Sequence, residues 1–263
     1  MRYFKQLIAV LVITVPLLVM ADSGVVMLRD SAPLEAKTIS ADQSGNLYCF
    51  DGTRQIIVPV MLYSYVRMPK PETLKQAESK LELGKYAEAE KMFREAAVKY
   101  EFLGWKAFCV SGLAKSLLKQ GRQDAAVVEI EKIVNDEIDD PDFIQWQYME
   151  AFRLLAPVYL QKNQNEKVVI VLEKMVGAQQ GEYIVFAYNA LGDLSLKQGD
   201  ANAAVQQYLR AVISADKSVP ARAESIYKLA ELLKKSKKDA YKIYYEMLRK
   251  EYPKSDLINK ISE

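Results

Sequence analysis

The chain has 263 residues, with 36 Lys+Arg against 34 Asp+Glu, 50% hydrophobic and 27% charged side chains, and no histidine. The first 21 residues hold Arg2 and Lys5 but no acid, so the 34 basic and 34 acidic groups that remain cancel. Such balance removes the electrostatic case for a nucleic-acid partner, which needs clustered excess lysine and arginine. The apolar content excludes disorder over most of the length. Without histidine, Ser-His and Cys-His catalysis and most zinc chemistries are gone. There is also no Gly-rich phosphate loop, CxxC, HExxH or nucleophile elbow. The expectation is a chain that is not an enzyme and carries no cofactor or metal.

Met1 to Ala21 has the layout of a cleavable export signal: basic Arg2 and Lys5, an apolar run from Leu7 to Met20, and the small-residue exit Val19-Met20-Ala21. The run is shorter than the roughly 20 residues a bilayer span needs, and Pro16 interrupts it. No cysteine follows it, which argues against a lipid anchor. The expected location is therefore the periplasm or the medium, with no membrane span after cleavage. Export permits a disulfide, and Cys49 and Cys109 are the one available pair. The alternative is that both are small buried hydrophobes.

Residues 22–68 read as strands. The runs Val25–Leu28, Ala36–Ile39, Leu47–Phe50, Ile56–Val58 and Leu62–Val66 are separated by turn signals at 30–33, 42–46 and Asp51-Gly52. Asp51-Gly52 supplies the positive φ of a tight hairpin. Through Val25, Val26, Leu28, Asp30, Gly45, Asp51, Gly52, Val58 and Pro59 this segment resembles a small Sm-like or SH3-like barrel, with Ser31 where glycine is usual. The resemblance implies a β cap or docking module. Met68-Pro69-Lys70-Pro71 then marks a link into helix.

From Pro71 onward the apolar period is helical, and one pattern recurs: a small residue, glycine seven on, alanine at twelve, an aromatic at sixteen, alanine at nineteen. The copies are Ala77, Gly84, Ala89, Phe93, Ala96; then Ala114, Gly121, Ala126, Ile130, Ile133; then Ala156, Asn163, Val168, Leu172, Met175; then Gly192, Gly199, Ala204, Tyr208, Ala211. The fifth is Ala230, Ala240, Tyr244 and Met247, read with an inter-helix turn shortened by two residues and closed by Pro253. Pro157 is expected to bend its helix or loosen the last turns.

The anchors at 77, 114, 156, 192 and 230 make these units resemble tetratricopeptide (TPR) repeats, whose period is about 34 residues. The resemblance implies a mainly α fold: a TPR-like solenoid of about five helical hairpins preceded by a small all-β module. The expected organisation is signal 1–21, β module 22–68 and hairpins 69–263, with repeats near 71–104, 105–142, 143–181, 182–217 and 218–255. It further implies a scaffold that takes peptides or partner proteins on the first helix of each pair. By register this places Lys115, Lys119, Arg153, Asn189, Asp193 and Tyr227 on the groove.

The ending Tyr244, Leu248, Tyr252, Pro253, Ser255 is similar to repeat closures of envelope TPR proteins. The expected partner is thus an envelope protein or peptide, the alternative being an accessory role in a secretion or outer-membrane assembly complex. Two charge runs remain. Asp136–Asp142 lacks calcium-loop spacing and reads as a solvated loop, and Lys234-Lys235-Ser236-Lys237-Lys238 reads as a solvated turn.

Overall fold

A computed structural model of the chain describes residues 23–138, 142–178 and 180–261. The expected signal at 1–21 lies outside the described residues, as does part of the acidic stretch. The chain divides into two compact units, up to Tyr148 and from Met149.

Among the described residues of the first unit six strands form two antiparallel three-stranded sheets. These are β1 (Gly24–Leu28), β2 (Leu34–Ala36), β3 (Thr38–Ala41), β4 (Leu47–Phe50), β5 (Gln55–Val58) and β6 (Tyr63–Arg67), in the orders β2-β1-β6 and β3-β4-β5. The single strand expected over Ala36–Ile39 is in fact two. Ala36 pairs with Gly24 and Thr38 with Phe50, while the Lys37 N–H between them donates to the Phe50 carbonyl at 2.7 Å. The chain thus changes sheets at one residue without leaving the Lys37 N–H unpaired. Val26, Leu47 and Val66 are fully buried, and Ile39, Cys49 and Val58 nearly so.

Two aspartates build the turns. Asp42 accepts from the Ser44 and Asn46 backbone, and Asp51 from the Thr53 and Arg54 backbone, the latter beside Gly52 at φ 112°. Such side-chain turns let the backbone reverse with its donors satisfied.

The hairpins α1 (Glu72–Glu82) with α2 (Tyr86–Lys99) and α3 (Lys106–Lys119) with α4 (Gln123–Glu131) complete the first unit, together with the start of α5 (Gln145–Gln161). The β region is tied to them: the Trp105 indole donates to the Met68 carbonyl at 3.2 Å, and Gly104 sits where a Cβ would lie 2.3 Å from the Val66 carbonyl oxygen. Phe93, Phe108, Trp105, Phe143 and Trp146 form a chain of edge-to-face rings, with centroids 5.4–6.2 Å apart. In the second unit α5 is followed by α6 (Asn165–Val176), α7 (Gly181–Lys197), α8 (Ala201–Ile213), α9 (Arg222–Lys235) and α10 (Tyr241–Glu251), each packed on its chain neighbour from α6 onward.

The repeated slots behave as the spacing requires. Ala77, Ala114, Ala156 and Ala230 are fully buried, as are Ala89, Phe93 and Ala204, with Tyr208 1% exposed. A Cβ on Gly112 would lie 2.4 Å from the Phe93 ring, and one on Gly192 2.4 Å from the Tyr208 ring, so the aromatic occupies the space a side chain would take. Gly84, Gly121, Asn163 and Gly199 all adopt positive φ at the inter-helix turns. Pro157 does not loosen α5, which ends five residues beyond Ala156, as α1, α3, α7 and α9 do beyond their small anchors. It lies exposed near the C-terminal end, where its missing N–H removes one bond only.

The fifth hairpin corrects the sequence reading. Its connection runs over 236–240, two residues longer than 83–85, 120–122, 162–164 and 198–200, rather than two shorter. Lys237, seven residues after Ala230, takes the left-handed conformation at φ 56°. Asp239 and Ala240 then add an extra turn, accepting from the Lys242 and Ile243 N–H groups. Consequently Tyr245 and Leu248, not Tyr244 and Met247, are the buried residues of α10.

Candidate interaction surface

The first helices of the pairs in the second unit carry a chain of polar side chains. Arg153 on α5 bonds Glu150 one turn earlier at 2.8 Å and reaches Glu182 on α7 at 3.2 Å. The Tyr183 hydroxyl on α7 donates back to Glu150 at 3.1 Å. Burial and then the Glu150 charge push that hydroxyl above the usual tyrosine range. Further along α7, Asp193 accepts from the Tyr208 hydroxyl at 2.7 Å and from Lys228 of α9 at 2.8 Å. Lys228 also holds Glu224, 2.8 Å away. Burial opposes its charge, but the bonds to Asp193 and Glu224 hold the ammonium above its ordinary value. At the next turn Tyr245 donates to Glu231, and Tyr227 is raised by burial and then by the Glu231 charge.

Four of the expected groove residues therefore lie in this unit. Arg153 and Asp193 each link one first helix to the next, Tyr227 stands beside Lys228, and Asn189 is 7% exposed with its Oδ1 lacking a hydrogen-bond partner. Lys115 and Lys119 belong to α3 in the first unit, half-buried and exposed respectively. Glu150, Glu182, Lys228 and Glu231 were missed. The Glu150/Arg153 and Glu224/Lys228 spacings of three and four residues were the available signals. Arg153 keeps 38% of its side chain exposed, so its two ion pairs add under about 1 kcal/mol to stability.

Cys49 in β4 and Cys109 in α3 are free and 1% and 0% exposed. Burial pushes their thiols up to about 11 and about 12, so neither is a thiolate nucleophile near neutrality. Asp136 is no freely solvated acid: Lys106 holds it at 3.0 Å and the Tyr148 hydroxyl at 3.2 Å. With Arg29, Ser64 and Tyr65 these residues line a cavity of about 300 Å³ along β6, which pairs only with β1 in its sheet. Among the described residues no group of three or more His, Cys, Asp or Glu side chains could hold a metal ion, and no helix is long and apolar enough to cross a membrane.

Residues 74–101 and 224–255, the first and last hairpins, match the tetratricopeptide repeat family. A comparison with curated protein sequences gives no match. Among solved structures, a Podosopora anserina kinesin-light-chain candidate with nearly identical TPR-like repeats is similar in fold, with a TM-score of 0.50 and 18% identity over 69% of this chain and 93% of its own. The TPR protein YrrB, described by its unusual peptide-binding site, is 14% identical over 72% and 91% (TM-score 0.47). TTC0263, a TPR protein of Thermus thermophilus, is 19% identical over 72% and 94% (TM-score 0.45).

Proposed function

We propose that this tetratricopeptide-repeat protein is a non-enzymatic scaffold of the bacterial cell envelope, binding peptides or partner proteins along the first helices of its hairpins. The observation that carries the reading is that these helices hold their anchors, Ala156, Gly192 and Ala230, toward the packed side. Arg153, Asp193, Tyr227 and Lys228 remain at least partly exposed, in a row that offers donors and acceptors to an extended segment. Export through residues 1–21 places the scaffold outside the cytoplasm in this reading. Crosslinking and pull-down of the protein from its native envelope is the direct test.

Arg153→Ala sharpens it. Its guanidinium fork suits a carboxylate or a pair of backbone carbonyls. Loss of a captured partner with a melting temperature changed by no more than a few degrees supports the groove. A lower melting temperature with the partner retained makes the Glu150 and Glu182 pairs its whole role and overturns that placement.

A second reading, an accessory subunit of a secretion or outer-membrane assembly complex docked through the β region, is favoured by the cavity along β6. A sheet edge beside a cavity is a place where an extended segment adds a strand. Deleting residues 22–68 separates the readings, provided the helical remainder keeps its circular-dichroism signal. Partners retained unchanged exclude β-region docking.

A further inference from the structure

Residues 22–263 are neutral in total but not along their length. Residues 222–263 carry eleven basic and seven acidic side chains, a net +4, whereas residues 22–221 carry 23 and 27, a net −4. The excess concentrates at one end of the last hairpin. Lys234 and Lys235 close α9, Lys237 and Lys238 occupy the lengthened turn, and Lys242 opens α10. Lys234 stands over the Tyr241 and Tyr245 rings, 5.7 and 5.9 Å from their centroids, and Lys242 pairs with Asp239 at 3.2 Å. Lys235, Lys237 and Lys238 are exposed and have no ion-pair partner among the described residues.

Folding does not call for lysine at two of these places. Lys237 is left-handed where three of the other four turns use glycine and the fourth asparagine, a conformation that crowds any side chain's Cβ against the following carbonyl. Lys242 sits in the first turn of α10, which holds no acid, and there the helix macrodipole disfavours a cation. Beside it Ile243 is 61% exposed, flanked by the partly exposed Tyr241 and Tyr244. Cations without partners and an exposed apolar residue among tyrosines are the two components an anionic lipid surface accepts together. Phosphates take the ammonium groups, while the headgroup boundary takes the aliphatic and aromatic carbon.

We propose that the α9–α10 turn, with Lys235, Lys237, Lys238 and Ile243, docks the protein onto an anionic lipid surface. The net negative charge of residues 22–221 is repelled by the same surface, so contact is confined to this end and the first helices of the hairpins stay available. The inference stands apart from groove binding and does not require it.

The test is co-sedimentation of the full chain with vesicles containing 30% phosphatidylglycerol and with pure phosphatidylcholine vesicles, read as the ratio of the two partition coefficients. The apolar residues 7–20 contribute to both, and Arg2 and Lys5 are the same in wild type and variants, so the comparison of their ratios isolates the turn. A basic residue near an anionic surface adds about 1 kcal/mol, or roughly fivefold in partitioning. Replacing Lys235→Gln, Lys237→Gly and Lys238→Gln together should therefore lower the ratio by about 100-fold, as should high salt. Glycine at 237 keeps the left-handed turn, so the variant folds. A companion with Lys235→Arg and Lys238→Arg and with Lys237 retained should keep the wild-type ratio. Ile243→Ser should weaken binding to the anionic vesicles by a smaller factor that salt does not change. A wild-type ratio near one, or an equal ratio in wild type and triple variant, overturns the proposal. Capture of the basic turn by an acidic protein with no preference for anionic vesicles overturns it as well.

Discussion

The helical hairpins meet the same packing problem five times, and the β region meets each of its problems once. Between packed helices the solution is a small residue opposite a large one, as with Gly112 against Phe93 and Gly192 against Tyr208, while the anchors Ala77, Ala114, Ala156 and Ala230 are fully buried at the repeated spacing. In the β region the path of the chain depends on unrepeated devices, namely the sheet change at Lys37 and the carboxylates of Asp42 and Asp51. A repeated device tolerates one poor copy, since neighbouring hairpins supply the rest of the interface. A device used once has no such reserve.

The largest expected effect tests the hairpin side of this contrast. Phe93→Ala empties a fully buried slot between Gly112 and Phe108 and should cost about 3–5 kcal/mol in urea unfolding. A loss under about 1 kcal/mol would mean that the aromatic slot does not hold the hairpins together. A smaller effect of opposite sign is expected at the odd turn. Lys237→Gly should stabilise by about 1 kcal/mol, because it relieves a left-handed side chain, whereas Asn163→Gly should change little, asparagine tolerating that region.

The smallest effect belongs to the β region and depends on pH. Bonds from the Thr53 hydroxyl and from the Thr53 and Arg54 backbone hold the Asp51 carboxyl well below the usual carboxylate range. Its contribution is therefore complete above the unfolded-state value, about 3.9, and is lost as pH falls through the lower folded-state value. Amide protection of β4 and β5 should decline on acidification in the native chain and follow a flatter pH profile in Asp51→Asn. Identical profiles would remove the turn carboxylate as a support of the hairpin.

What could be read from the sequence follows the same division. The helical architecture was legible because one small residue in each copy sets the glycine or asparagine slot seven positions later, and that slot ends the first helix. The fifth copy misled because Lys237 fills the slot with an unexpected residue type; aligning on Ala240 instead placed the wrong face of α10 inward. In the β region Asp51-Gly52 announced its hairpin through local backbone chemistry, but no local signal marks Lys37 as a corner. Its two flanks pair with strands a dozen residues away on either side, so the division is a long-range fact. The polar row was half legible. The register located Arg153, Asp193 and Tyr227 on the first helices, but Glu182 and Lys228, which pair with Arg153 and Asp193, come from neighbouring hairpins and have no fixed offset in sequence.

The edge-to-face ring chain of the first unit has a practical consequence in spectroscopy. The chain has two tryptophans, Trp105 and Trp146; both belong to that cluster and both precede Met149. Indole emission excited at the red edge therefore reports the first unit alone, while the second contributes only tyrosine. Helical ellipticity arises from both. A mismatch between the two melting curves would measure how independently the units unfold, without any label being attached.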